Sequence, residues 1–174
     1  MDNQILQAMR ERRSVKKYTS TLVEEEKLQA ILEAGTYAAN GRGMQSATMV
    51  VVQDPETREQ LRKMNATVLG NPDGDPFYGA PTVVVVLADK NHSTAVEDGS
   101  LVMGNLMLAA YSLGVDSCWI HRAREMFDGE EGKALLKKWG LEGEYIGVGN
   151  CILGYRDCEY PVAKPRKENF VYRV

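Results

Sequence analysis

The run from Ser100 to Leu113 is the feature that most constrains this chain. Leu101, Val102, Met103, Leu106, Met107, Leu108, Ala109, Ala110 and Leu113 cover nearly the whole circumference of a helix drawn through it. A helix that is apolar all round must be covered all round. A chain of 174 residues has few other elements with which to do that. The pattern points to a partner subunit, although the central helix of a monomer would look similar.

The apolar runs Met49–Val52, Thr82–Ala88 and Tyr145–Leu153 read as strands. The second is continuous rather than alternating, which means burial on both faces. Asn3 to Arg12 reads as a short helix with the stripe Ile5, Leu6 and Met9. A second helix follows Ser20-Thr21, with Glu24, Glu25 and Glu26 at its dipole-favoured start and Leu28, Ile31 and Leu32 inward. Gly35 weakens its end. Asp54-Pro55 opens a third helix as cap and first residue, with Leu61 and Met64 in the core. Residues 70–81, rich in Gly, Pro and Asp, read as a mobile loop. Asp128 and Glu131 have capping-pair spacing before a helix with Leu135, Leu136 and Trp139, which Gly140 ends. Phe170 to Val174 is β-prone and is expected to pack as a strand. Helices and strands mixed in this way imply an α+β or α/β sandwich.

At 44% hydrophobic and 26% charged residues, the composition is ordinary for a globular protein, and the length suits one domain over 1–174. A net charge of −3 offers no nucleic-acid surface. Cys118, Cys151 and Cys158 form no C-x-x-C pair, as expected of reduced thiols in a cytoplasmic protein. The polar start and the lack of a long apolar run argue for neither a signal peptide nor a membrane span.

No side-chain catalyst announces itself. His92 lies in a polar loop and His121 ends an apolar stretch. No H-E-x-x-H, G-x-S-x-G, G-x-G-x-x-G or Walker pattern occurs, so an enzyme of this kind would draw its chemistry from a cofactor. Arg12, Arg13, Ser14 and Lys16 are the best phosphate donors: two guanidinium forks, a hydroxyl and a point charge. The same cations would also suit a helix C-terminus. A second basic group, Lys164-Pro165-Arg166-Lys167, could converge on the same anion or be a solvated linker. In the loop Asn40 to Ser46, Gly41 and Gly43 permit close backbone approach, and Gln45 offers an amide to a ring edge such as a flavin pyrimidine. A plain helix-ending loop would read the same.

In this order, these elements resemble the nitroreductase family of FMN enzymes. Arg12-Arg13-Ser14-Val15-Lys16 matches its R-R-S-x-[RK] pattern, and Ala39 to Ala47 its glutamine-bearing loop. The run Asp98 to Leu106, the run Ser112 to Ile120, and Leu153-Gly154-Tyr155 with Lys164 and Arg166 match later motifs. The resemblance spans roughly residues 3–172. It implies an α+β fold with a central, mostly antiparallel sheet flanked by helices. It also implies a homodimer with FMN in the interface, each FMN touched by both subunits.

By resemblance, Arg12, Arg13, Ser14, Lys16, Lys164 and Arg166 meet phosphate and ribityl, and Asn40, Gly43 and Gln45 border the cofactor. Ile120, His121 and Arg122 carry backbone past the reactive N5 edge. The resemblance implies a ping-pong reductase in which NAD(P)H, either NADH or NADPH, feeds FMN and a nitroaromatic or quinone takes the electrons. It implies no catalytic side chain and no metal. Asn40, Gly43 and Ser46-Ala47 depart from the usual Ser, Asn and Pro-Trp, which bears on substrate specificity more than on cofactor. The chain is short for the family and lacks inserted lid helices. Dehalogenation, flavin destruction and non-catalytic flavin sensing are the alternatives.

Overall fold

The computed structural model describes residues 3–174. Its frame is a four-stranded antiparallel sheet in the order β1-β2-β4-β3. The strands are β1 Ala47–Val52, β2 Thr82–Asp89, β3 Asp116–Ile120 and β4 Tyr145–Gly154. The two continuous apolar runs, β2 and β4, take the centre and are buried almost end to end. Successive β2 side chains divide between two cores, as the period of two requires. Val83, Val85 and Leu87 join one core, Val84, Val86 and Ala88 the other. β1 is an edge strand, so it is half-buried with Val51 exposed. β3 is a strand that apolar patterning did not announce.

The helices are α1 Gln4–Glu11, α2 Glu25–Thr36, α3 Pro55–Leu69, α4 Ala95–Ser112, α5 Ala123–Asp128 and α6 Glu130–Lys138. One face of the sheet is covered by α3, α5 and α6 through Leu61, Met64, Met126, Phe127, Leu135 and Leu136. The other is covered by α2 and α4 through Leu28, Ile31, Met103 and Leu106. This is the α+β sandwich that the element pattern implies. α3 follows its local signals: the Asp54 carboxylate accepts from Thr57 N at 2.8 Å, and Gly70 closes the helix at φ 78°. Gly35 is buried in the last turn of α2, which ends one residue later at Thr36. A Cβ there would stand 2.9 Å from the Met49 sulfur, so the glycine lets α2 approach β1 closely.

Four expectations are corrected. First, the α1 stripe faces outward: Ala8 is buried, while Ile5 and Met9 are exposed (64% and 59%). Second, Asp128 and Glu131 are not a capping pair. Asp128 ends α5, and Gly129 caps α6 with no side-chain bond. Third, residues 70–81 are pinned. Phe77 is fully buried, and the Asp75 carboxylate accepts from Phe77 N (2.9 Å) and Gly79 N (2.7 Å). Fourth, the last residues form no strand, and Phe170, Val171, Tyr172 and Val174 are exposed. The outer edge of β3 is already met by Ser14, and the tail does not pair with the other outer edge, at β1.

α4 begins at Ala95, ahead of Ser100, and is not covered all round. Val102, Met103, Leu106 and Ala110 are buried, while Leu101 and Gly104 remain exposed and Leu108 half-buried. Leu108 and Ala109 share an open groove with Ile5 and Ala8 of α1. An uncovered apolar surface of this kind on two packed helices is what a partner would fill. Among the described residues no helix is long and apolar enough to cross a membrane.

Candidate functional site

The chain leaves α1 at Arg12 and runs extended beside β3. Ser14 bridges Ser117 in parallel, and Val15 N donates to Ser117 O at 3.1 Å. Extended backbone sends alternate side chains to opposite sides. Val15 is driven into the core, which leaves Arg12, Ser14 and Lys16 together on the other side. They converge over Cys118. Burial pushes that thiol up, while the Ser14 side chain and the charges of Lys16 and Arg12 pull it down. Arg12 also reaches the Met107 sulfur of α4 at 4.0 Å, and Lys16 lies 6.0 Å from the Tyr78 ring centre. Among the described residues neither cation has a carboxylate partner.

Arg13 points elsewhere. Its Nη1 donates at 2.7 Å to both Arg10 O and Arg12 O, and its N–H donates to the Tyr160 hydroxyl at 2.9 Å. Its guanidinium closes the end of α1, as the helix C-terminus alternative predicts for a cation there. The two neighbouring arginines therefore have different surroundings, and Arg13 is the one spent on the helix end.

The second element is the loop after α2, with a 3₁₀ turn at Gly41–Gly43. Arg42, Gly43 and Gln45 all have positive φ (55°, 70° and 51°). For Arg42 and Gln45 that conformation costs about 1–2 kcal/mol each, so the surroundings must enforce it. The buried Asp98 of α4 does so. Its carboxylate accepts from Gly41 N (2.9 Å), Ser46 Oγ (2.6 Å) and Thr94 Oγ1 (3.3 Å). The Ser46 bond, followed by the Gly41 and Thr94 bonds, holds that carboxyl below its usual range. Asn40 Oδ1 accepts from Gln45 N at 2.9 Å. Gln45 is exposed and shares a pocket with Asn40, Ala47, Met49 and Asp98, and the space beside Gly43 is open.

The third element is the turn from β3 into α5. Ile120 is buried, the His121 side chain is exposed, and Arg122 takes φ 77°. Asn65 of α3, fully buried, holds the turn: Nδ2 donates to His121 O (2.8 Å) and Oδ1 accepts from Arg122 Nε (3.0 Å). Neither Asn65 nor the role of Asp98 was legible beforehand. A polar residue on the core face of an otherwise ordinary α3 is the one signal that pointed to Asn65.

The first and third elements are joined through β3, since the 12–16 segment tracks that strand and Ile120 ends it. The Gln45 loop stands apart. Its anchor Asp98 and the Arg12 contact Met107 are separated by about 13 Å along α4 at the usual helical rise. Lys164 and Arg166 are exposed, and Arg166 donates to Lys164 O at 2.6 Å. No hydrogen bond or ion pair among the described residues ties them to Arg12, Ser14 or Lys16. The tail is rooted higher up. Arg156 pairs with Asp116 (3.2 Å), Lys17 with Asp157 (2.9 Å), and the Tyr160 hydroxyl donates to Glu11 O (3.2 Å). His92 sits 3.6 Å from Asp89 and shares a pocket with Gly41, Arg42 and Met44 of the Gln45 loop. No group of three or more His, Cys, Asp and Glu among the described residues could hold a metal.

A helix-flanked antiparallel sheet with a cationic strip along one edge, without a carboxylate partner among the described residues, defines an α+β protein with a donor set suited to an anion. A model of the nitroreductase family matches residues 9–73 and 63–155, and the chain belongs to that family. A protein of Archaeoglobus fulgidus bearing the provisional name NADH dehydrogenase/NAD(P)H nitroreductase is 31% identical over 150 residues. That match covers 83% of this chain and 80% of the relative. The chain spans 59% and 36% of the lengths of two other curated relatives. A nitroreductase with bound FMN from Bacteroides fragilis has a TM-score of 0.86 at 28% identity, over 99% of this chain and 100% of that one. Another with bound FMN, from Desulfitobacterium hafniense, has a TM-score of 0.88 at 26% identity, over all of both chains.

Proposed function

We propose that this chain is an FMN-dependent NAD(P)H oxidoreductase whose flavin phosphate lies on Arg12, Ser14 and Lys16. One observation carries the reading: three donors face one way from an extended backbone, and among the described residues neither cation has a carboxylate partner. That donor set fits a phosphate, since a guanidinium fork and an ammonium form charge-assisted bonds with its oxygens. The FMN-bound relatives of the same fold support the choice of anion.

Bound there, FMN would supply hydride acceptance from a nicotinamide and electron delivery to a small acceptor such as a nitroaromatic or quinone, in ping-pong order. The protein binds and orients. The 120–122 turn lies beyond the strand that Ser14 tracks, so its backbone is the part of the chain placed to meet the ring. Gln45, with Asn40 and Gly43, offers an amide to a ring edge from the clamped loop. The groove between α1 and α4 supports a homodimer, with FMN touched by both copies and with Lys164 and Arg166 adding charge once the tail orders. Arg13 acts on the helix end rather than on the phosphate.

The test is the visible spectrum of the purified protein before and after adding FMN, followed by anaerobic titration with NADH and NADPH in turn. Flavin bands that bleach with a nicotinamide and return with an acceptor support the reading. A colourless protein that gains no flavin bands overturns it.

A further inference from the structure

Arg122 is a non-glycine residue held at φ 77°, at the junction of β3 and α5. A side chain there works against its own backbone. Something must hold the turn, and the structure supplies it from α3, far away in sequence. Asn65 is fully buried, and its amide is used at both ends on this turn: one bond to the His121 carbonyl, one to the Arg122 side chain. Its Nδ2 also lies 3.2 Å from the Met126 sulfur of α5, so the clip joins α3, the turn and the helix that follows. The Asn65 side chain spans the two residues on either side of one peptide bond, and so fixes the plane of that peptide.

We propose that Asn65 is a positioning residue. It locks the His121–Arg122 peptide so that the backbone of the turn meets the flavin ring in one orientation. This rests on the flavin reading above. A hydrogen bond to a ring edge depends on where the N–H points, and misplacement by about 1 Å can cost on the order of 100-fold in rate. The conformation that Asn65 enforces is one that glycine adopts unaided. A glycine at 122 would therefore remove the cost of that conformation, which separates the backbone of the turn from mere core stability.

The experiment compares wild type, Asn65→Ala and Asn65→Ala/Arg122→Gly. Three quantities are measured: thermal stability, the visible spectrum and reduction potential of bound FMN, and the anaerobic rate of its reduction by NADH or NADPH. Asn65→Ala is expected to lower Tm, shift the flavin spectrum and potential, and slow reduction by roughly 10- to 100-fold. The double variant is expected to keep the lowered Tm but recover most of the spectrum, potential and rate. Unchanged flavin properties in Asn65→Ala, or loss without recovery in the double variant, overturn the proposal. Wild type that takes up no FMN overturns the proposed function instead. The clip is then decided by NMR of the flavin-free proteins. Backbone amides at 121–123 sharp in wild type and broadened in Asn65→Ala support it, and identical spectra overturn it.

Discussion

The chain has two basic segments of nearly the same chemistry, and only the first is built into the fold. Residues 12–16 are tied to β3 by the Ser14 bridge and by the buried Val15, so the backbone that carries their side chains is fixed. Residues 164–167 are exposed, and Arg166 turns back on its own chain. Charge alone does not make an anion site. Long cationic side chains lose about 2 kcal/mol of rotamer freedom when they are fixed, and a prearranged backbone reduces what is left to lose.

The largest test removes the anchor. Val15→Asp buries an unpaired charge and should cost roughly 3–5 kcal/mol of unfolding free energy, taking the phosphate strip with it. The same change at the exposed Val162 should stay within about 0.5 kcal/mol. Chemical denaturation of both variants checks the contrast. Next, Arg12→Ala should weaken FMN binding by roughly 10- to 100-fold, since a hydrogen bond to a charged group is worth about 1.5–3 kcal/mol. Tm should stay unchanged. Arg13→Ala should show the reverse pattern: FMN affinity kept, Tm lowered. Fluorescence titration and calorimetry read the pair, and equal FMN loss in both would erase the distinction between them.

A smaller effect is expected at the root of the tail. Tyr160→Phe removes the acceptor for Arg13 N and the donor to Glu11 O, and should cost about 1 kcal/mol, visible as a lowered Tm. The smallest is a pH effect on the other anchored segment, the Gln45 loop. Asp98 titrates lower in the fold than when unfolded, because of its bonds to Ser46, Gly41 and Thr94. Its contribution is therefore fully present above the ordinary carboxylate value of about 3.9 and is lost as pH falls below it. Tm measured through that range should fall more steeply for wild type than for Asp98→Asn. Parallel curves would remove Asp98 as the clamp.

Local signals were legible where the chain answers to its own neighbours. Asp54-Pro55 and Gly70 bound α3 because capping needs residues a few positions apart. The apolar run at Thr82 marks the sheet centre because both faces of β2 are covered. The order of the motifs led to the family. Misreadings gathered where a distant partner decides. Residues 70–81 look mobile by composition, yet Phe77 finds a core pocket. Phe170 to Val174 look like a strand, yet they pair with neither edge of the sheet and stay exposed. The Ile5 and Met9 stripe looks inward, yet both side chains are exposed, and Ile5 borders the open groove beside α4.

For the candidate site, the sequence by itself determined the inventory: two arginines, a hydroxyl and a lysine at alternating spacing, and a loop carrying Gln45. The tertiary structure decided which way each side chain faces and what holds it. Arg12 and Arg13 differ only in position, yet in the fold Arg12 reaches Met107 while Arg13 turns back on the end of α1. Asp98 and Asn65 became anchors because folding buried their polar groups beside backbone that needed partners. Buried polar groups must be satisfied by whatever the fold brings near, and that pairing is not written in local spacing.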